Sequence, residues 1–264
     1  MPNIPHKTPT TVTFLGTDAV VPEGGGDTAS FVINRTVLVD TGWYAAIKMR
    51  SYGIDPMDIE FLIFTHCHHD HYIGLPHIFF YLAMRASERP DRAPLNIIGP
   101  AGEIELVVDL ARRFLQVDRF PPVNYNPTLI PLRPGDSWEG TNFHLATCAS
   151  VHPVPGLVYR FTDTRSGKVI AFTGDTAYDP AIPPFCRDAD LLIHEASFGE
   201  SPAPESNRSL HSGAPDAARV AVESGVGRLA LVHCPKGKQS AALAAAQRIF
   251  PNTFWPLDGE EVTI

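Results

Sequence analysis

Apolar residues fall in short runs along the whole chain, and the length and spacing of each run separate strands from helices. Residues 11–15 read as a strand, and residues 31–34 and 36–40 as a hairpin turned at Asn34-Arg35. A helix follows over 44–52, with Gly53 as its stop. Phe61-Leu62-Ile63-Phe64 is apolar without a break, the mark of a strand buried on both faces. Residues 73–86 have helical composition and read as a buried or lid helix. Residues 95–98 read as a short strand. Residues 103–117 carry Leu106, Val107, Leu110 and Phe114 at helical spacing, and residues 121–134 read as proline-rich loop.

The second half repeats the theme. Residues 142–147, 158–162, 169–173, 191–193 and 229–232 read as strands, with helices over 214–223 and an alanine-rich 240–249. The 25 prolines and 20 glycines sit mainly at the junctions, so they punctuate elements rather than form a linker. Residues 1–264 therefore read as a single domain. Two similar halves of strands feeding helices predict an α/β architecture, with two sheets packed together and helices outside.

Composition narrows the partners. The 264 residues are 44% hydrophobic and 19% charged, an ordinary globular balance. A formal net charge of −8 argues against nucleic acid, whose binding footprint is basic. The cysteines Cys67, Cys148, Cys186 and Cys234 are scattered with no C-x-x-C, which suggests neither a disulfide framework nor a zinc knuckle and fits reduced thiols. Cys67 and Cys234 read as small buried fillers. Met1-Pro2-Asn3-Ile4-Pro5-His6 has neither a charged nor an apolar signal region, and no apolar run approaches membrane-spanning length. A cytoplasmic protein without membrane contact is expected.

The chemistry is concentrated after the buried run at 61–64. His66-Cys67-His68-His69-Asp70-His71 offers imidazoles and a carboxylate, the donors that borderline divalent cations prefer. One cation cannot easily use four ligands at so tight a spacing, whereas two adjacent cations can. A pair needs further ligands, and these should also stand at strand ends. His152, Asp175 and His233 each follow an apolar run directly.

Those segments resemble the metallo-β-lactamase fold superfamily, in its ribonuclease Z-like branch. The resemblance rests on Thr13-Phe14-Leu15-Gly16-Thr17, Val39-Asp40-Thr41-Gly42, Thr65 to His71, Gly74-Leu75-Pro76, Ile98 to Gly102, Val158-Tyr159-Arg160, Thr173-Gly174-Asp175-Thr176, His194-Glu195-Ala196-Ser197-Phe198, His211-Ser212 and Val232-His233. It implies a four-layer αβ/βα sandwich and two divalent metal ions. Zinc is the first expectation, with manganese or iron admitted by the same donors. His66, His68 and His152 are implied for one metal, Asp70, His71 and His233 for the other, and Asp175 as the bridge. Glu195 and His211 are implied as a proton-donating pair beside the leaving group, so the expected catalytic set is Asp70, Glu195 and His211. The reaction implied is hydrolysis by a hydroxide shared between the metals. Dimers are common in the branch, so a homodimer is an expectation by analogy.

The chain also departs from the branch. Ribonuclease Z enzymes clamp tRNA with a long arm inserted between the segments matching His152 and Asp175. Here residues 153–174 suffice only for two strands and a turn at Ser166-Gly167. Gly213 follows His211-Ser212 where the branch usually has Thr, and His69 stands where ribonuclease Z usually has Gly. These features favour a small anionic phosphodiester, of cyclic-phosphate or nucleotide type, over tRNA 3′-processing. Lactone, β-lactam or aryl sulfate hydrolysis and a non-enzymatic metal sensor are the remaining alternatives. Lys236, Lys238 and Arg208 are candidate anion contacts but read first as solvated charges. Phe79, Phe80 and Tyr81 are candidate pocket walls but read first as core.

Overall fold

The computed structural model describes residues 8–264. The reading of residues 1–6 as lacking a signal region lies outside them. The first half runs β1 (Thr11–Gly16), β2 (Ser30–Ile33), β3 (Val37–Val39), α1 (Ala45–Ser51), β4 (Phe61–Ile63), α2 (His69–Tyr72), α3 (Leu75–Met84), β5 (Asn96–Pro100), α4 (Glu103–Phe114) and β6 (Thr128–Leu132). The second runs β7 (Ser137–Glu139), β8 (Phe143–Ala149), β9 (Leu157–Asp163), β10 (Val169–Phe172), α5 (Ile182–Phe185), β11 (Leu191–Glu195), α6 (Ala214–Ser224), β12 (Arg228–Val232), α7 (Gln239–Gln247) and β13 (Thr253–Phe254). A last strand, β14 (Glu261–Thr263), returns to pair antiparallel with β1.

Two seven-stranded sheets result, ordered β14-β1-β2-β3-β4-β5-β6 and β13-β12-β11-β10-β9-β8-β7. Alternation along each strand sorts side chains into three cores. Phe14, Phe31, Ile63, Tyr159, Phe172 and Ile193 fill the space between the sheets. Leu38, Leu62, Phe79 and Ile97 join the helices on one outer face, and Leu192, Ala217, Ala218 and Leu231 those on the other. This is the four-layer sandwich of the metallo-β-lactamase fold. No helix among the described residues is long and apolar enough to cross a membrane.

The β2–β3 hairpin turns as expected. Asn34 and Arg35 both have positive φ, 51° and 62°, which matches the twist of a two-residue hairpin loop. Residues 153–174 form β9, a turn and β10, as their length predicted.

One expectation is corrected, and one helix is refined. The proline-rich stretch at 121–134 contains β6, which pairs parallel with β5. Pro131 is tolerated because β6 is an edge strand and one of its sides needs no N–H. On α4 the stripe Leu106, Leu110 and Phe114 faces outward, with Phe114 68% exposed. Ile104, Val107, Val108 and Ala111 are buried instead, a set one step round the helix at the same period.

Candidate metal centre

Parallel strands deliver their C-terminal ends to one edge of the sandwich, where α/β folds place their sites. β4 pairs parallel with β3 and β5, and β11 with β10 and β12. Just beyond those ends stand His66 to His71, Asp175 and His233, with His152 after β8. The two sheets are laced together here. Tyr159 Oη donates to the Phe64 carbonyl at 3.0 Å, and Leu157 N to the Thr65 carbonyl at 2.8 Å.

All the ligand positions selected from the sequence meet. The donor atoms of His66, His68 and His152 lie within 4.8 Å of one another, as do those of Asp70, His71 and His233. Asp175 lies between the two sets. Its Oδ2 is 3.8 Å from His66 Nε2 and 3.5 Å from His71 Nε2, and its Oδ1 is 3.5 Å from His233 Nδ1. His152 Nε2 faces His68 Nδ1 at 2.9 Å, two ring nitrogens directed at one point. His66 Nε2 and His71 Nε2 are buried and have no hydrogen-bond partner. A buried, unpaired ring nitrogen is costly unless something binds it. The orphaned nitrogens and the hard and borderline donor set fit two divalent cations.

Charge follows the same geometry. Burial and the neighbouring His71 hold His66 far below its ordinary range, so a neutral, ligand-ready imidazole is favoured. Burial pushes Asp175 upward, but the His233 and His71 charges outweigh it and keep the carboxyl well below its usual range.

The residues behind the ligands aim them. Asp40 Oδ2 lies 2.8 Å from His71 Nδ1, whose N–H it accepts, leaving Nε2 for a cation. The same carboxylate takes Thr65 N at 2.9 Å and Thr65 Oγ at 2.7 Å, and Thr65 Oγ in turn accepts from His66 Nδ1 at 3.1 Å. His152 Nδ1 donates to the Leu210 carbonyl at 3.2 Å. Leu210 holds a left-handed φ of 54°, a conformation a branched side chain adopts only under constraint. Asn207 supplies that constraint. Its Nδ2 donates to the His211 carbonyl at 2.7 Å and its Oδ1 accepts His211 N at 3.3 Å.

Glu195 and His211 meet at the rim. Glu195 is 1% exposed. Its Oε1 accepts Thr176 N and His211 Nδ1, each at 2.8 Å. Burial works to lower His211, but the Glu195 hydrogen bond and charge raise it to about 9. The His211 ring lies 5.0 Å from that of His152 and 5.8 Å from that of His233, so it stands over both ligand sets. Ser197 Oγ joins the two halves, at 2.9 Å from His233 Nδ1 and 3.2 Å from His211 Nδ1. His194 is buried on the opposite face of β11: Leu191 and Ile193 belong to the core between the sheets, Leu192 to the helix-facing one.

Asp40, Thr65, Ser197 and Asn207 were given no role from the sequence. Asp40 offered a signal, a carboxylate directly after an apolar strand, like the ligands themselves. Asn207 offered none. His69, Lys236, Lys238 and Arg208 are exposed, Phe79 is core and Phe80 is 48% exposed.

The family model described as the Beta-lactamase superfamily domain matches residues 35–234. A ribonuclease Z of Methanosarcina acetivorans is 27% identical, over 84% of this chain and 86% of its own length. Among solved structures, the metallo-beta-lactamase fold protein YhfI of Bacillus subtilis superposes with a TM-score of 0.82 at 23% identity, covering 97% of this chain and 100% of its own. A diphosphatase of the PhnP family superposes with a TM-score of 0.73 at 17% identity, covering 96% of this chain and 97% of its own.

Proposed function

The chain belongs to the beta-lactamase superfamily and is a metal-dependent hydrolase of that fold, and from that premise we propose that its substrate is a small phosphodiester of cyclic-phosphate or nucleotide type. His66, His68 and His152 would hold one divalent cation and Asp70, His71 and His233 a second, with the Asp175 carboxylate between the two sets. Zinc suits these donors, and manganese or iron suits them also. When bound, such a pair supplies an activated water and the positive charge that a phosphoryl transition state needs. Asp70, beside His233 and His71, completes the carboxylate charge of the second set.

The observation that carries the reading is the Glu195–His211 pair. The Glu195 carboxylate at 2.8 Å from His211 Nδ1 favours the protonated ring over the ligand cluster. An alkoxide is a poor leaving group and needs a proton as it departs. His211 gives that proton to the leaving oxygen, and Glu195 stabilises the imidazolium beforehand and fixes its ring.

The compact β9–β10 hairpin and the net charge of −8 support a small substrate over a folded RNA. A second reading, tRNA 3′-processing, draws on the relative named ribonuclease Z, which matches along most of this chain.

The test is a substrate panel on metal-loaded protein: bis(p-nitrophenyl) phosphate, the p-nitrophenyl ester of thymidine monophosphate, a nitrophenyl sulfate, an acyl lactone, nitrocefin and a 3′-extended precursor tRNA. The two phosphodiesters should turn over. Turnover confined to the lactone or nitrocefin overturns the proposal. Cleavage of the tRNA with no turnover of either ester replaces it with the second reading.

A further inference from the structure

A cleft of about 380 Å³ opens beside the ligand cluster, and His152 forms part of its wall. Its floor is the junction of the sheets, where the ends of β5 and β6 meet the β8–β9 loop. Pro100, Val154 and Pro155 give it rigid apolar sides. Prolines 153 and 155 stiffen the loop that carries His152, and Ser150 N closes that loop by donating to the Gly156 carbonyl at 3.2 Å. The volume falls in the range of small-molecule sites.

Arg133 is the sole charged side chain in the wall apart from the ligand His152. Its backbone is pinned on both sides: its N–H donates to Asp136 Oδ2 at 2.8 Å, and its carbonyl accepts Thr147 Oγ at 2.7 Å. Among the described residues its guanidinium has neither an ion pair nor a hydrogen bond. Ser150, in the same wall, has a buried Oγ that packs against Gly156 and has no hydrogen-bond partner. Arg133 is exposed to solvent, and its unpaired planar fork, on a wall that also holds the candidate metal ligand His152, can meet a second anion.

We propose that this cleft is the subsite for the body of the substrate and that Arg133 recognises a second phosphate, so that the preferred substrate class is a nucleotide or sugar phosphodiester carrying an additional phosphate. The reacting ester lies at the cation cluster, the apolar body lies along Pro100, Val154 and Pro155, and the remote phosphate meets Arg133. The proposal rests on the phosphodiester reading above.

Calorimetric titration of metal-loaded protein with thymidine 3′,5′-bisphosphate and with thymidine 5′-monophosphate tests it without requiring turnover. Wild-type protein should favour the bisphosphate. Arg133→Ala should cut that preference roughly tenfold, the weight of one charged hydrogen-bonded contact at a partly solvated site. Arg133→Lys should restore part of it, because charge returns without the fork. Val154→Glu, which sets a like charge in the cleft, should also lower the preference. Equal wild-type affinity for the two nucleotides, or a preference unchanged in both Arg133→Ala and Val154→Glu, overturns the proposal. The two readings fail separately. A preference that depends on Arg133 while no phosphodiester in the panel turns over removes the phosphodiester reading and leaves an anion subsite. Turnover with an unchanged preference does the reverse.

Discussion

Asp163→Asn probes how the two sheets are locked together at the corner away from the metal centre. Asp163 ends β9 with 0% exposure. Its Oδ2 accepts Thr10 Oγ and Asn34 Nδ2 at 2.8 Å each, from the residue before β1 and the β2–β3 turn of the opposite sheet, and Arg165 Nη2 at 3.0 Å. Its Oδ1 accepts Arg165 N at 3.0 Å and Nε at 3.1 Å. Burial works to raise this carboxyl, but the Arg165 and Thr10 hydrogen bonds prevail and bring it from 3.8 to about 2. At about 1.36 kcal/mol per pH unit, and allowing for the partly exposed Arg165, that gap is worth roughly 2 kcal/mol of folding free energy. The folded value lies below the unfolded one, so the stabilisation is complete above about pH 5. It is lost as the pH falls from 3.8 toward 2 and is absent below that. Thermal melts in chelator, which keeps bound metal from contributing, should place Asp163→Asn roughly 4–8 °C below wild type at pH 7. The difference should shrink steadily below pH 4. A variant melting within a degree of wild type at pH 7, or a difference that persists unchanged at pH 2.5, would refute the assignment of this stability to the Asp163 carboxylate.

The metal centre yields two further predictions. Asp40→Asn removes the charge that orients His71 and anchors Thr65, and should weaken binding of the second cation roughly 10- to 100-fold, read by competition with a chromophoric chelator; unchanged affinity would show that Asp40 serves packing alone. His211→Ala should leave metal content intact and slow an alkyl phosphodiester by about a hundredfold, while slowing a nitrophenyl ester far less because nitrophenolate departs without a proton. Equal losses on the two esters would argue against proton donation.

Much of the centre was legible because its donors are of distinctive chemical types and sit directly after apolar runs. His66, His68, Asp70 and His71 lie together in the chain, and His152, Asp175 and His233 each follow a recognisable strand. The hairpin turn at Asn34-Arg35 was legible for a similar reason: a two-residue loop between apolar runs admits few backbone solutions. What the local pattern left open or misread has a different cause. Pro131 argues locally against a strand, and only its position on an unpaired sheet edge makes β6 possible. On α4 two apolar stripes share one helix, and the sheet beneath selects Ile104, Val107, Val108 and Ala111. Asn207 lies in an exposed stretch with no periodicity, so its clasp on His211 left no trace in the local pattern.

The sequence by itself determined the donor chemistry, the order of the strands that carry it and the shortness of the interval between His152 and Asp175. These are local properties of residue type and spacing. The tertiary structure alone decided that His152 faces His68 across the junction of two sheets, that Asp40 stands behind His71, and that Arg133 lines a cleft with no partner among the described residues. Strand register and the meeting of two sheets set those relations, and both depend on contacts between residues far apart in the chain.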